Sequence, residues 1–360
     1  MIKFASTGCS INLLECVNIR NLSPGLKLLT RTETGFTATK VSIMTDIPTA
    51  SRLDPIPVAL LQCAHYEPAL LAEGIHQCCQ ALGRIFHRGD KILVKPNLVS
   101  SRNARLSCPH PQVVRALCIV LSDYGVRVQV GDSPAFGSAR QVARAAGLVD
   151  VLADLHVPLV DLGAPVRRTL ACGIQVGLSR HVLDVDLLFN LPKLKAHGQL
   201  FVTAAAKNLF GCVSGMRKAM AHVRHGQGDD LAELILDLQE HLPPTTNLID
   251  AVTAMHGTGP TGGSPCRLGL LAASNNAVAL DTALYHALDF RPEQVPLWRE
   301  ARRKNLPGHD LDQLAFPLLM PSQLSLPPFK TPERLNPVSF HPWQMTKSMC
   351  KRAWLTIKDY

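Results

Sequence analysis

Residues 111–133, PQVVRALCIVLSDYGVRVQVGDS, carry the pattern that decides the fold. Pro111 stands where a helix begins, because its missing N–H falls among donors that have no intrahelical partner. Gly125 closes the helix, and VRVQVGDS (126–133) follows at once as a short apolar strand. Working outward, PVALLQCA (57–64) reads as a strand and PALLAEGIHQCCQAL (68–82) as a helix with apolar residues at helical spacing, stopped by Gly83. KILVKPN (91–97) is a second strand, halted at Pro96. Helix SARQVARAAGL (138–148) and strand VPLVDL (157–162) continue the alternation. Strands separated by helices require right-handed crossovers and a mostly parallel sheet. The expected fold is therefore α/β: a mostly parallel, Rossmann-like open sheet with helices on both faces, plus an inserted or second α/β lobe.

Further along, RTLACGIQVGL (168–178) has extended character and VDLLFNLP (185–192) reads as a buried strand. DDLAELILDLQEHL (229–242) and AVALDTALYHAL (277–288) read as helices, NLIDAVTAM (247–255) and RLGLLAAS (267–274) as strands. The expected domains are an α/β body over 44–315, divisible into lobes 44–165 and 166–315, with a proline-rich arm over 316–360. Residues 1–43 read as a poorly packed extension, since Met44 makes a natural start; an amphipathic targeting peptide is the alternative.

Of 360 residues, 46% are hydrophobic but only 5% aromatic, so the core must rest on Leu, Val, Ala and Ile. With 37 Lys and Arg against 28 Asp and Glu, the net charge of +9 favours anionic partners. The basic residues are spread along the chain without an aromatic stripe, which argues against nucleic acid. No apolar run reaches the roughly 18 residues that span a bilayer. Eleven cysteines include no C-x-x-C pair and lie mostly in apolar stretches; they read as buried thiols of a cytoplasmic protein.

In open α/β sheets, ligands bind beyond the carboxyl ends of the strands. Polar groups gather there: Lys95 and Asn97, Asp132 and Ser133, then Asn190, Lys193, Lys195 and His197, and finally Asp250 and His256 before the loop GTGPTGG (257–263). Lys193 and Lys195 are two apart and face one side of an extended chain. With His197, and with Lys207 and Asn208 of KNLFG, they read as a loop that holds a phosphate or carboxylate; a solvated basic loop is the alternative. Gly257, Gly259 and Thr261 would allow close backbone approach to the ligand, although tight turns also need such residues, and the loop has no Walker lysine. Asp132 and His197 are candidates for moving a proton. Asp132 and Asp250 also suit a metal or an Asx turn, and His256 and His222, the latter in RKAMAHVRH, are weaker metal candidates against a solvated helix face.

The motifs VKPNLVS, PHPQVVRAL, VGDSPAFGS, NLPKLKAHG, KNLFGCVSGMRK, GTGPTGG and AVALD, in this order over residues 57–315, resemble the domain-of-unknown-function family 362. LPKLKAHG followed by KNLFG is their most specific part. Many members of that family carry a C-terminal ferredoxin module, which implies a redox link. This chain departs from them: Cys350 stands alone in the last stretch, so no iron–sulfur cluster is expected in cis. A looser likeness is to the N-terminal domain of nickel-pincer lactate racemases, whose histidine pattern is not reproduced here.

Two functions follow as expectations. One is a redox-linked enzyme acting on a small anionic substrate or cofactor of unassigned identity, held by Lys193, Lys195 and Lys207. The other is a non-catalytic cofactor-binding or electron-transfer accessory protein. The expected partners are a small anionic molecule, a separate ferredoxin and a second copy of the chain; a membrane and nucleic acid are not among them.

Overall fold

A computed structural model describes residues 27–32, 35–40, 54–134, 136–214 and 228–335, and divides the chain into units Met1–Arg52 and Leu53–Tyr360. In the first unit, β1 (Lys27–Thr32) and β2 (Gly35–Lys40) pair antiparallel. Part of the expected extension thus has regular structure; its other residues lie outside the described ones.

The second unit is built on one sheet. Its strands, in chain order, are β3 (Ile56–Gln62), β4 (Lys91–Pro96), β5 (Arg127–Asp132) and β6 (Leu159–Asp161). A separate hairpin, β7 (Pro165–Thr169) and β8 (Gln175–Ser179), accounts for the extended segment around 168–178. Then come β9 (Leu187–Leu191), β10 (Lys193–His197), β11 (Phe201–Thr203), β12 (Thr245–His256), β13 (Ser264–Ser274) and β14 (Leu314–Ala315). The sheet order is β14-β3-β13-β12-β9-β4-β5-β6, with β10 on the distal part of β12 and β11 beside β10. Neighbours run parallel except at β3–β13, β13–β12 and β10–β11. Strands of both expected lobes join this sheet.

Each strand alternates its side chains between two buried faces, which is why the strands read as nearly unbroken apolar runs. Leu60, Leu93 and Leu188 point to one face; Ala59, Ile92, Val94 and Phe189 point to the other. The second face is covered by α1 (Pro68–Ala81), α2 (Pro111–Asp123) and α3 (Ala139–Ala146). The first is covered by α4 (Ala205–Leu209), α5 (Gly228–Leu238), α6 (Ala277–Ala287) and α7 (Pro296–Arg303). Helix boundaries follow local chemistry. Pro111 opens α2, a Ser138–Gln141 capping box opens α3, and Gly147 ends α3 in the left-handed conformation.

The described start of the proline-rich arm is not a free linker. Just before it Leu314 and Ala315 pair with β3, and within it the Leu319 amide donates to the Leu60 carbonyl while Leu324, Leu326 and Phe329 pack on the core. Residues 336–360 lie outside the described ones. All described cysteines are free thiols, and all but Cys172 are buried. Burial pushes Cys78 and Cys118 up to about 12, so these are packing groups and not nucleophiles. Among the described residues, no helix is long and apolar enough to cross a membrane.

Candidate functional site

Strands β4 and β5 are parallel neighbours, so their carboxyl ends lie side by side. There the Lys95 ammonium sits 2.9 Å from Asp132 Oδ1, with both side chains buried. Desolvating two charges is tolerable only when each is fully hydrogen-bonded, and here both are. Asp132 Oδ1 also accepts from the Ser133 amide (2.8 Å), and Oδ2 accepts from the Leu98 amide (2.7 Å). Lys95 Nζ donates in addition to the Pro96 carbonyl and to Asn208 Oδ1, both at 3.2 Å. Asp132 is thus a fixed counterion whose two oxygens are already in use.

Helix α4 delivers Lys207 and Asn208 to the same place. Its first two amides, Ala205 and Ala206, donate to Asp281 of α6 at 2.6 and 3.0 Å. Burial pushes the Asp281 carboxyl up to about 7, against the downward pull of those amides. Asp281 anchors the helix that carries the site. The AVALD motif contained it, but nothing in the sequence announced a cap reaching across about seventy-five residues.

Asn97, Leu98, Val99, Asp132, Ser133, Lys207, Asn208 and Phe210 line a pocket of about 80 Å³ over the Lys95–Asp132 pair. Lys207 makes no hydrogen bond or ion pair with any described residue; burial, and next the charge of Lys95, bring its ammonium down to about 8. Gly211 closes the floor. A Cβ there would overlap the Lys95 ammonium and stand 2.9 Å from Asp132 Oδ1. Gly211→Ala should therefore part the buried pair and cost about 3 kcal/mol or more, read as a lowered urea midpoint; an unchanged midpoint would show that the pair yields without cost.

The second lysine pair of the sequence motif has a different place. Lys193, Lys195 and His197 lie on strand β10, not in a loop, and all three are buried. Pro192 has no N–H for the ladder, so β9 stops there, and the chain resumes pairing farther along β12. Lys193 Nζ meets Asp250 Oδ2 at 2.8 Å and the Tyr66 hydroxyl at 3.0 Å. Asp250 lies within β12 beside a bulge, not at a strand end. It also accepts from the Tyr66 hydroxyl and from the His110 and Val252 amides. Burial depresses the Lys193 ammonium, but Asp250 and Tyr66 outweigh it and hold the group above the usual lysine range. This saturated network reads as structural. No sequence signal singled out Tyr66, which stacks on His110 with ring centroids 3.7 Å apart.

Lys195 is fully buried with one hydrogen bond among the described residues, to the Ser107 carbonyl at 2.6 Å, and burial brings it down to about 7. His197 Nδ1 accepts from the Gln199 and Leu200 amides at 3.2 and 3.3 Å, which places the ring proton on Nε2. Neither residue, nor Lys193, lines the pocket.

The glycine loop joins β12 to β13 and also lies apart from the pocket. A Cβ at Gly259 would overlap the Ala196 carbonyl, so this glycine serves close packing on the β10 backbone. The Thr261 carbonyl accepts from Asn103, the Gly257 amide donates to Lys330, and His256 packs edge-on to Phe329. His222 lies outside the described residues. Among the described residues no group of three His, Cys, Asp or Glu is placed to hold a metal.

Two solved structures and one sequence relative align with the chain. The lactate racemase apoprotein of Thermoanaerobacterium thermosaccharolyticum aligns with a TM-score of 0.41 and 10% identity, over 73% of this chain and 62% of its own. A protein from Thermotoga maritima aligns with a TM-score of 0.31 and 9% identity, over 54% and 52%. The thylakoid-associated protein sll1697 of Synechocystis sp. is 34% identical over 304 residues, covering 83% of this chain and 94% of that protein. Residues 92–286, which hold β4 through most of α6 and the whole pocket, match the family described as Domain of unknown function (DUF362), and with that relative they show that the chain belongs to it.

Proposed function

We propose that the pocket over the Lys95–Asp132 pair binds a small phosphate- or carboxylate-bearing molecule, with Lys207 supplying the charge. One observation carries the reading: Lys95 is ion-paired with Asp132, whereas Lys207 faces the same pocket with no ion pair or hydrogen bond among the described residues and feels Asp132 only at longer range. Among the described residues the pocket thus holds a net charge of +1, and a half-buried ammonium without hydrogen bonds gains from an anion that supplies them. The binding lysines predicted as Lys193, Lys195 and Lys207 reduce to Lys207 in this reading, with Lys95, Asn97, Ser133 and Asn208 as the wall.

Calorimetric titration with inorganic phosphate and with acetate at pH 7 tests it. Lys207→Met should weaken the tighter of the two at least tenfold, and equal affinity in the variant would refute the assignment. The pH dependence has a defined sign. Lys207 is charged below about pH 8, so affinity should hold from pH 6 to 7.5 and fall above 8.

The finer form of the proposal is a redox-linked enzyme that turns over this anion, with a separate ferredoxin as electron partner. Its support is the ferredoxin module of the chains it resembles. Turnover of the bound anion by the unaltered protein, assayed with a reduced ferredoxin, separates it from a non-catalytic accessory role, because only an enzyme converts what it binds. A cytoplasmic location fits the free thiols of the described cysteines.

A further inference from the structure

The wall opposite Lys207 is set by a row of buried amides. Asn247 Nδ2 donates to the Ser274 carbonyl at 3.0 Å. A backbone carbonyl can only accept, so this contact fixes which way the Asn247 amide faces, and its Oδ1 must accept from Asn190 Nδ2 (2.8 Å). Asn190 Nδ2 also donates to the Ala205 carbonyl, which fixes that residue independently. Its Oδ1 then accepts from Asn208 Nδ2 at 2.8 Å, and Asn208 Nδ2 also reaches the Lys95 carbonyl. Asn208 Oδ1 finally accepts from Asn97 Nδ2 at 2.8 Å and from the Lys95 ammonium.

The direction of the whole row is therefore set, and it leaves one group over. Asn97 is 7% exposed, lines the pocket, and its Oδ1 is buried with no donor. Turning the Asn97 amide over would set Oδ1 against Asn208 Oδ1, acceptor on acceptor, so a flip offers no relief. A buried acceptor without a partner is costly and calls for a donor.

From this geometry we infer that the pocket selects a small carboxylate carrying a neutral hydrogen-bond donor next to the charge, such as a hydroxyl or an amide N–H: the anion lies on Lys207 and the donor on Asn97 Oδ1. A cationic donor is disfavoured by Lys95 and Lys207. Size agrees, since one water needs about 10–15 Å³ of such volume, and 80 Å³ suits a ligand of about five to eight heavy atoms. The inference rests on the anion-binding reading above and adds the second contact.

Glycolate and acetate differ by one hydroxyl and test it on the unaltered protein. By ligand-observed NMR titration at pH 7, glycolate should bind at least tenfold more tightly than acetate, because a site built to satisfy a polar group rejects the ligand that lacks it. Methoxyacetate, which has the oxygen but no donor, should bind no better than acetate. Asn97→Ala should bring the ratio of glycolate to acetate affinity to about one; if that variant unfolds, the comparison on the unaltered protein still decides. Glycolate, methoxyacetate and acetate binding alike, each weakened by Lys207→Met, would overturn the donor assignment and leave the anion site standing. No binding of any of them, or of phosphate, would overturn both.

Discussion

Asp250→Ala should be among the most destabilising single changes in the second unit, lowering the free energy of unfolding by about 3–5 kcal/mol. Lys193 and Asp250 are both enclosed, so removing the carboxylate strands an ammonium where water cannot reach it. The same change leaves the amides of His110 and Val252 without their acceptor and loosens the Tyr66 hydroxyl. An unsatisfied buried donor costs about 1–3 kcal/mol, and these losses overlap because they share one network. Urea unfolding followed by circular dichroism measures the effect; a loss below about 1 kcal/mol would show that the network relaxes around the gap. Asp250→Asn, which keeps the acceptor oxygen, should fall between.

Lys195→Met should act in the opposite direction. Lys195 is on the same strand, two residues from Lys193, but the carboxylate that stabilises its neighbour does not reach it; its one hydrogen bond is to the Ser107 carbonyl. The ammonium titrates near 7 in the folded protein against an ordinary value of 10.5. Its folded value is depressed, so between pH 7 and 10.5 the unfolded chain binds more protons and stability from this group rises with pH. At pH 7 the wild type bears a penalty of about 4 kcal/mol. Methionine removes it and loses about 1 kcal/mol by leaving the carbonyl unpaired. The variant should thus be more stable by about 3 kcal/mol at pH 7 and by only about 1 kcal/mol at pH 9. Ionisation of the unfolded cysteines, which sets in at about 8.5, acts on wild type and variant alike and cancels from the comparison. A variant no more stable than the wild type, or an advantage independent of pH, would refute the account.

These two lysines also show how far the sequence could be read. The elements of the sheet were visible as apolar runs bounded by Gly83, Pro96, Pro111 and Gly125, because those signals act locally. Lys95, Asn97, Asp132, Ser133 and Asn208 were recognisable as strand-end and motif residues, and the fold brings them together. Spacing alone could not separate Lys193 from Lys207, since KLKAH has the composition of a solvated loop and is buried only because β12 outruns β9 and leaves an edge to fill. Tyr66 and Asp281 were out of reach for a related reason: each acts on a partner far away in sequence, about 184 residues in one case and 76 in the other. The glycines of 257–263 read as permitting close approach of a ligand; what approaches Gly259 is the protein's own β10.

The row of asparagines gives the pocket an unusual kind of dependence. Ser274, at the end of β13, never meets the pocket, yet its carbonyl determines the facing of Asn247, then of Asn190, Asn208 and Asn97 in turn. The chemical character of the pocket wall is thus written in the middle of the sheet and read out four side chains away. The order of β13, β12, β9 and β4 therefore acts as a grammar for the pocket: reversing one amide in the sheet would change a word at its mouth from acceptor to donor, with the surrounding walls left as they are.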